Sequence, residues 1–329
     1  MAARPRLGFL GVGWIGRQRM QVLADSGVAT VAAIADASGE AAEAAAADAP
    51  GAVVTDGLDG LLDADLDGIV IATPSGAHAA QAIAALERGL AVFCQKPLTR
   101  TTAEAEQVIA AARRADRLVG VDFSYRHLAG VAALRERVQA GELGQVHAID
   151  LTFHNAYGPD KPWFYDMAQS GGGCVMDLGI HLIDLAQWIC GGAAVDQIDA
   201  RLYAKGRALP KPVGEVEDYA SVQWRMHSGA NVRMACSWRL PAGCDAVIEA
   251  AFYGSRGGAA LRNVAGSFYD FTVDRFDGTQ RTRLAEPPDA WGGRALVEWA
   301  QRLAEGGHFD PDADQLVEVA RIVDGIYGR

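Results

Sequence analysis

No stretch of the chain reaches the roughly 18 apolar residues that a membrane-spanning helix needs. No basic run stands anywhere in it either. The 41 acidic residues outnumber the 30 lysines and arginines, for a formal net charge of -11. Such a chain repels polyphosphate, so neither nucleic acid nor an anionic membrane is expected as a partner. There is no C-x-x-C, and the five cysteines (Cys94, Cys174, Cys190, Cys236 and Cys244) are odd in number. That excludes a disulfide framework and fits small buried thiols in a reducing compartment. Cys174 lies near His181 in sequence, but their spacing matches no zinc pattern, and no metal is expected. No Gly-Lys-Ser or Gly-Lys-Thr is present, which excludes a P-loop. A basic start (residues 1–6) followed by apolar Leu7 to Ile15 imitates a signal peptide. Three glycines interrupt the apolar part and no small-residue cleavage site follows, so a cytoplasmic protein is expected. Internal repeats and long linkers are also lacking.

At 329 residues, 50% hydrophobic and 22% charged, the chain has the composition of a globular protein and the length of two domains. Leu7 to Leu10 reads as a buried strand. It runs into Gly11-Val12-Gly13-Trp14-Ile15-Gly16, a helical pattern follows, and the apolar run Ala29 to Ala35 ends at Asp36. Strand, glycine turn, helix, strand and acid in this order form a dinucleotide fingerprint. Gly11 permits the tight turn, Gly13 lets backbone approach a pyrophosphate, and Gly16 lets the helix pack on the sheet. Asp36 stands about 20 residues beyond the glycines, where an acid binds the ribose 2′-hydroxyl. A carboxylate there repels a 2′-phosphate, and no arginine follows to receive one, so NAD is expected in preference to NADP.

Further buried strands are expected at Gly68 to Ala72, Leu90 to Cys94 and Leu118 to Asp122, with helices between them, the pattern of a doubly wound parallel sheet. Ligands bind such sheets at the carboxyl ends of the strands. Asp36, Thr73 and Lys96 fall on that edge. Lys96 has two readings, a donor to a substrate oxygen or a solvated lysine before Pro97.

After residue 122 the pattern changes. A helix is expected over His127 to Ala140 and a strand over Gln145 to Phe153. The loop from His154 to Asp166 carries Trp163, Phe164 and Tyr165, and either frames a polar ligand or packs on the surface. Beyond Asp196, two-residue alternation puts Val222, Trp224 and Met226 on one strand face and Val232, Met234, Cys236 and Trp238 on another. This predicts a mostly antiparallel sheet with one face buried on helices. Two amphipathic helices, near Arg294 to Leu303 and Asp312 to Tyr327, end the chain. The expected domains are 1–122 and 123–329, with the active site in the cleft between them.

The stretch Gly171 to Trp188 opens with three glycines and holds Asp177 and His181 at i and i+4, one helical turn apart on one face. A carboxylate beside an imidazole suits a general acid/base, and it equally suits a structural ion pair. The glycines are expected to let backbone pass close under a bound ligand.

Taken together, the glycine fingerprint, Thr73-Pro74-Ser75 with His78, Lys96-Pro97, and the glycine run with Asp177-x-x-x-His181 resemble the glucose–fructose oxidoreductase and inositol 2-dehydrogenase (Gfo/Idh/MocA) family over essentially the whole chain. The resemblance implies an α/β protein: an N-terminal Rossmann domain, then a C-terminal α+β domain whose large open, mostly antiparallel sheet forms oligomer contacts, as a homodimer or homotetramer. It implies hydride transfer between NAD(H) and a hydroxyl or keto carbon of a sugar, inositol or related polyol. Lys96, Asp177 and His181 would be catalytic. Trp14 and Ile15 would flank the pyrophosphate, and Thr73, Pro74, His78 and Gln95 would lie near ribose and nicotinamide. Tyr125 would enter the second domain, and with His154 and Trp163 it is a candidate for substrate contact. Gln95 departs from the family, which carries glutamate there. Two other functions stay open on this scaffold: an NAD-dependent glycosidase working by transient oxidation and elimination, and a non-catalytic NAD-binding sensor.

Overall fold

The computed structural model describes residues 4–329, so part of the basic stretch at positions 1–6 lies outside the described residues. The chain forms two compact units. Unit 1 runs to Ser124 and takes back Gly292–Val317, and unit 2 comprises Tyr125–Trp291 and Glu318–Arg329.

Unit 1 is a six-stranded parallel sheet. Its strands are β1 (Arg6–Leu10), β2 (Thr30–Ala35), β3 (Val53–Val54), β4 (Gly68–Ile71), β5 (Ala91–Cys94) and β6 (Val119–Val121), in the order β3-β2-β1-β4-β5-β6. The connecting helices are α1 (Trp14–Ser26), α2 (Gly39–Asp48), α3 (Gly57–Leu62), α4 (Ser75–Glu87) and α5 (Thr102–Ala115). Ser38 caps α2 by accepting from Ala41 N, and Thr101 caps α5 by accepting from Glu104 N. The sheet is apolar on both faces, as a doubly wound fold requires. Leu7, Phe9, Val70 and Phe93 pack with Met20 and Leu23 on one side. Ile69, Ile71 and Val92 pack with Leu86 and Val108 on the other.

The returning segment belongs to this core. Its helix α9 (Arg294–Ala304) sets the Trp299 ring 5.7 Å from that of Phe93. A Cβ on Gly68 or Gly120 would lie 2.9 or 2.7 Å from the Trp299 indole, so two strand glycines form the slot that the ring fills. A division at residue 122 cannot include this return, because nothing local to Arg294–Ala304 specifies which sheet its apolar stripe covers.

Unit 2 is built on nine strands: β7 (Val146–Asn155), β8 (Val195–Ala204), β9 (Arg207–Ala208), β10 (Tyr219–Met226), β11 (Asn231–Ser237), β12 (Ala246–Gly254), β13 (Gly258–Asn263), β14 (Phe271–Asp277) and β15 (Gln280–Ala285). Their order is β15-β14-β13-β12-β7-β11-β10-β8-β9. Neighbours are antiparallel except β7 and β11, which run parallel. Val222, Trp224, Met226, Val232, Met234 and Cys236 are buried as their alternation predicts, while Ser221, Gln223, Arg225 and Arg233 are exposed. The expected helix over His127 to Ala140 is split into a 3₁₀ turn (Ser124–His127) and α6 (Val131–Gln139), because Gly130 sits at φ +80° before it.

The buried face receives a long helical run. It comprises α7 (Met167–Ser170), a π-helical turn at Val175–Gly179 and α8 (Ile180–Cys190). Against the expectation that no stretch is apolar enough, Met167–Cys190 has the length and hydropathy of a membrane span, but 78% of its most apolar window is buried inside the protein, as in a core helix. Leu182, Ile183, Leu185 and Ile189 are all buried, at about 1.5–3 kcal/mol each relative to exposure. The chain ends in α10 (Asp314–Tyr327), whose first turn belongs to unit 1 and whose remainder belongs to unit 2.

Candidate active site

In unit 1 the glycine turn joins β1 to α1. Gly11 has φ +90°, and a Cβ there would meet the Ala72 carbonyl oxygen at 2.6 Å. A Cβ on Gly16 would lie 2.2 Å from the Gly11 oxygen. Gly13 is different, since an added Cβ would meet nothing within 4 Å. It is the N-cap of α1, no side chain caps the helix, and no acid stands in its first turn. The first N–H groups of this 13-residue helix have no side-chain cap, an arrangement that fits a dinucleotide pyrophosphate. Trp14 is 75% exposed beside this opening, and Ile15 is half-buried.

Asp36 closes the turn from β2. Its Oδ2 accepts from Val12 N at 2.7 Å and its Oδ1 from Ser38 N at 2.8 Å. Each carboxylate oxygen retains capacity for a further donor such as a ribose hydroxyl.

The second and third edge loops are tied to each other. His78, on α4 and 1% exposed, places Nδ1 2.7 Å from the Pro97 carbonyl oxygen and Nε2 2.7 Å from that of Thr73. Burial depresses its pKa, and the two carbonyls oppose that. Both ring nitrogens face backbone carbonyls, and the neutral ring donates its single N–H to one of them, so His78 braces the loops rather than presenting a nitrogen to a ligand. Thr73 Oγ1 donates to Gln81 at 2.6 Å, and Pro74 is exposed at the start of α4. Lys96 is half-buried, joined to Pro97 by a cis peptide. The preceding residue, Gln95, is buried and donates to Asp122 Oδ2 at 2.7 Å.

In unit 2, Asp177 lies in the π turn and His181 in the first turn of α8. They stay in one helical run, but the wider turn alters the simple i, i+4 alignment, a distortion frequent at functional sites. Trp238 Nε1 donates to Asp177 Oδ2 at 3.0 Å. The His181 ring meets the edge of Tyr125 with centroids 5.0 Å apart. Tyr125 is itself buried among Phe153, Phe271 and Trp291, and burial and then the Asp177 charge push its hydroxyl pKa up. His154 Nδ1 lies 2.8 Å from Ser237 Oγ, with its ring stacked over Tyr219. Trp163 stacks on Phe164 at 3.8 Å, and Phe164 and Tyr165 in turn pack on Trp238.

The glycine run has a different role from the expected one. A Cβ on Gly172 would fall 1.9 Å from the Tyr327 hydroxyl, and one on Gly173 would fall 1.8 Å from the Glu217 carbonyl oxygen. Protein, not ligand, occupies the space these glycines leave. Glu217 is 0% exposed and accepts from Gly173 N (2.9 Å), Val175 N (2.8 Å) and Tyr327 Oη (2.9 Å). Burial raises its pKa, and these donors favour the ionised form. Arg329 donates to the Gly171 oxygen at 3.0 Å. A buried acid and the chain's last residues therefore clamp the start of the helix that carries Asp177.

Sequence reasoning missed Glu217, Trp238, Asp122 and the Arg126–Asp184 pair. A signal existed for Asp184 alone, a lone carboxylate inside an apolar helix, which demands a cation. Arg126 supplies it through Nε at 2.8 Å and through a second contact. Cys174 and Cys236 bring their sulfurs to 3.8 Å as buried thiols. Among the described residues, no cluster of three His, Cys, Asp or Glu side chains is placed to hold a metal.

A parallel sheet with an uncapped glycine-turn helix and an acid at the end of the second strand is the pattern of a dinucleotide-binding fold, here followed in the chain by a second unit with a large open sheet. Residues 6–123 match the oxidoreductase family model with an NAD-binding Rossmann fold, and 131–260 match the GFO/IDH/MocA C-terminal domain. The chain is 30% identical over 266 residues to inositol 2-dehydrogenase of Rhizobium meliloti, covering 78% of this chain and 76% of that one. It therefore belongs to the Gfo/Idh/MocA oxidoreductase family. An oxidoreductase domain protein from Kribbella flavida has the same fold, with a TM-score of 0.84 and 26% identity over 99% of this chain and 96% of that one. Levoglucosan dehydrogenase in complex with NADH and levoglucosan gives 0.83 at 23% identity, over 98% and 96% of the two chains.

Proposed function

We propose that the chain transfers hydride between NAD(H) and a hydroxyl or keto carbon of a sugar, inositol or related polyol. The observation that carries this reading is the uncapped N-terminus of α1 after the glycine turn, with Asp36 bonded to the turn at Val12 N. The Asp177 carboxylate held by Trp238 ahead of His181 in unit 2 is consistent with it. The names of the relatives support the substrate class. In oxidation, His181 takes the hydroxyl proton. Lys96 donates to the reacting oxygen and stabilises its developing negative charge. Asp177 orients His181 or holds a neighbouring hydroxyl. Gly13, Trp14 and Ile15 line the pyrophosphate position, and Asp36 receives the ribose hydroxyls. The bound nicotinamide supplies the redox chemistry, and the chain supplies alignment.

NAD is preferred to NADP. Asp36 is fixed by two backbone N–H groups, and a fixed carboxylate repels a 2′-phosphate. The exposed sheet face, where Arg233 pairs with Asp150 and Arg262 with Glu249, is the contact surface of a homodimer or homotetramer in a cytoplasmic enzyme.

The test is a nicotinamide-absorbance screen of inositols, aldoses and their keto forms with NAD and with NADP. Turnover with NAD on at least one of them is expected. Release of free sugar from glycosides without net cofactor reduction would replace this reading with the glycosidase, and tight NAD binding without turnover on any polyol would replace it with a sensor. Light scattering reads the oligomeric state.

A further inference from the structure

Three side chains from three elements meet at the carboxyl edge of the parallel sheet in unit 1. Arg19 comes from α1, Gln95 from the residue after β5, and Asp122 from the residue after β6. Arg19 Nε donates to Asp122 Oδ2 at 2.6 Å, and Gln95 Nε2 donates to the same oxygen at 2.7 Å. Ser124 Oγ donates to the other carboxylate oxygen at 2.6 Å and accepts from Arg19 at 3.2 Å. Arg19, Gln95, Asp122 and Ser124 are 6, 8, 1 and 5% exposed.

The cluster is charge-balanced, with one guanidinium and one carboxylate. Asp122 Oδ2 accepts from position 95 as well as from Arg19, and a neutral donor at 95 keeps the balance. A second carboxylate there would be buried within hydrogen-bond distance of the first, setting two negative charges against the Arg19 guanidinium. The elements joined are functionally distinct. Arg19 sits on the helix whose N-terminus opens toward the pyrophosphate position, and Gln95 immediately precedes Lys96.

We propose that Gln95 is a positioning residue. Through Asp122 and Arg19 it fixes α1 and the glycine turn against the strand end that carries Lys96, and it does so only as a neutral donor. The proposal rests on NAD binding by unit 1 and is independent of which polyol the protein uses.

Glutamate at 95 has the shape of glutamine and, when protonated, donates to Asp122 as the amide does. The charged groups around it are Asp122 and Arg19, with Lys96 next in the chain. Lys96 also bears on His78, whose ring is bonded to the Pro97 oxygen. Burial beside Asp122 raises the pKa of that glutamate above the ordinary value of about 4.3. The variant is therefore tolerated while the new acid is protonated and is penalised as pH rises through the raised folded-state pKa.

The experiment is an NAD titration by calorimetry, with melting curves, on wild type, Gln95→Glu and Gln95→Leu at about pH 5.5 and about pH 8.5. For Gln95→Glu the affinity deficit relative to wild type is expected to grow from within about threefold at the low pH to about tenfold or more at the high pH, and the melting deficit to widen in parallel. Gln95→Leu removes one donor to the Asp122 carboxylate and adds no titrating group, so its deficit should be the same at both. Wild-type behaviour of Gln95→Glu at the high pH, or a deficit that does not change with pH, overturns the proposal. If Gln95→Glu fails to fold while Gln95→Leu folds, the added charge is the fault, as proposed. If neither folds, the proposal is overturned, because it places the damage in the charge. Failure of wild type to turn over any polyol would remove the substrate reading and leave these binding and melting data decisive.

Discussion

At Gly13 in unit 1 an added Cβ would meet nothing within 4 Å, whereas at Gly173 in unit 2 it would lie 1.8 Å from the Glu217 carbonyl oxygen. The two glycine-rich turns read alike in the sequence, and they use the missing side chain in opposite directions. In unit 1 the freed space is open, and no side chain caps the helix that follows. In unit 2 the freed space is filled from within by Glu217 and Tyr327, and the N–H groups of Gly173 and Val175 are already satisfied. An exposed helix N-terminus is a binding device, while one closed by a buried carboxylate is a mounting for side chains further along the helix.

The comparison can be broken most forcefully at the side chains that each unit contributes. His181→Ala in unit 2 and Lys96→Ala in unit 1 are each expected to lower kcat on the true substrate by about 10²–10⁴. Near-normal turnover of either would remove that residue from the proposed chemistry.

A sharper contrast comes from the glycines themselves. Gly173→Ala forces backbone apart and should cost about 3 kcal/mol or more, read as a large fall in Tm or loss of soluble protein. Gly13→Ala has room and ordinary backbone angles (φ -60°), so its Tm should stay within about 2 °C of wild type while NADH affinity falls about tenfold. Equal stability losses in the two variants would dissolve the distinction.

Trp238→Phe keeps an aromatic ring and removes the N–H that Asp177 accepts. A hydrogen bond to a charged group is worth about 1.5–3 kcal/mol, so kcat should fall about tenfold with little change in the KM for NAD. An unchanged kcat would show that Asp177 is held by other means.

The smallest effect expected is at His78. Its folded-state pKa is lowered by burial, so the unfolded chain takes up the proton first as pH falls. The stability that His78 contributes is full above its unfolded pKa of about 6.5 and is lost as pH drops toward the folded value. The Tm gap between wild type and His78→Gln should therefore be wider at about pH 7.5 than at about pH 5.5. A gap that widens on acidification would contradict the burial of a neutral ring.

What could be read in advance follows the distance between partners. Gly11, Gly13 and Gly16 fall within six consecutive positions, and their spacing is dictated by the turn they make. Strand alternation likewise placed Val222, Trp224 and Met226 on the buried face, because side-chain direction in a strand is a local property. Glu217 meets Gly173 across 44 residues, Trp238 meets Asp177 across 61, and Arg19 meets Asp122 across 103. No periodicity links such pairs.

The sequence by itself determined the cofactor turn, the alternation of strands and helices in unit 1, the buried face of the unit 2 sheet and the presence of Asp177 and His181 in one helical run. These depend on backbone conformation and on contacts within a few residues. Only the tertiary structure decided that Gln95 turns to Asp122, that His78 braces two loops, that Arg294–Ala304 returns to the first sheet, and that Glu217 closes the second glycine turn. Each of these depends on which buried polar group or apolar stripe finds its partner. That choice is made by the burial cost of leaving it unmatched, summed over the whole fold.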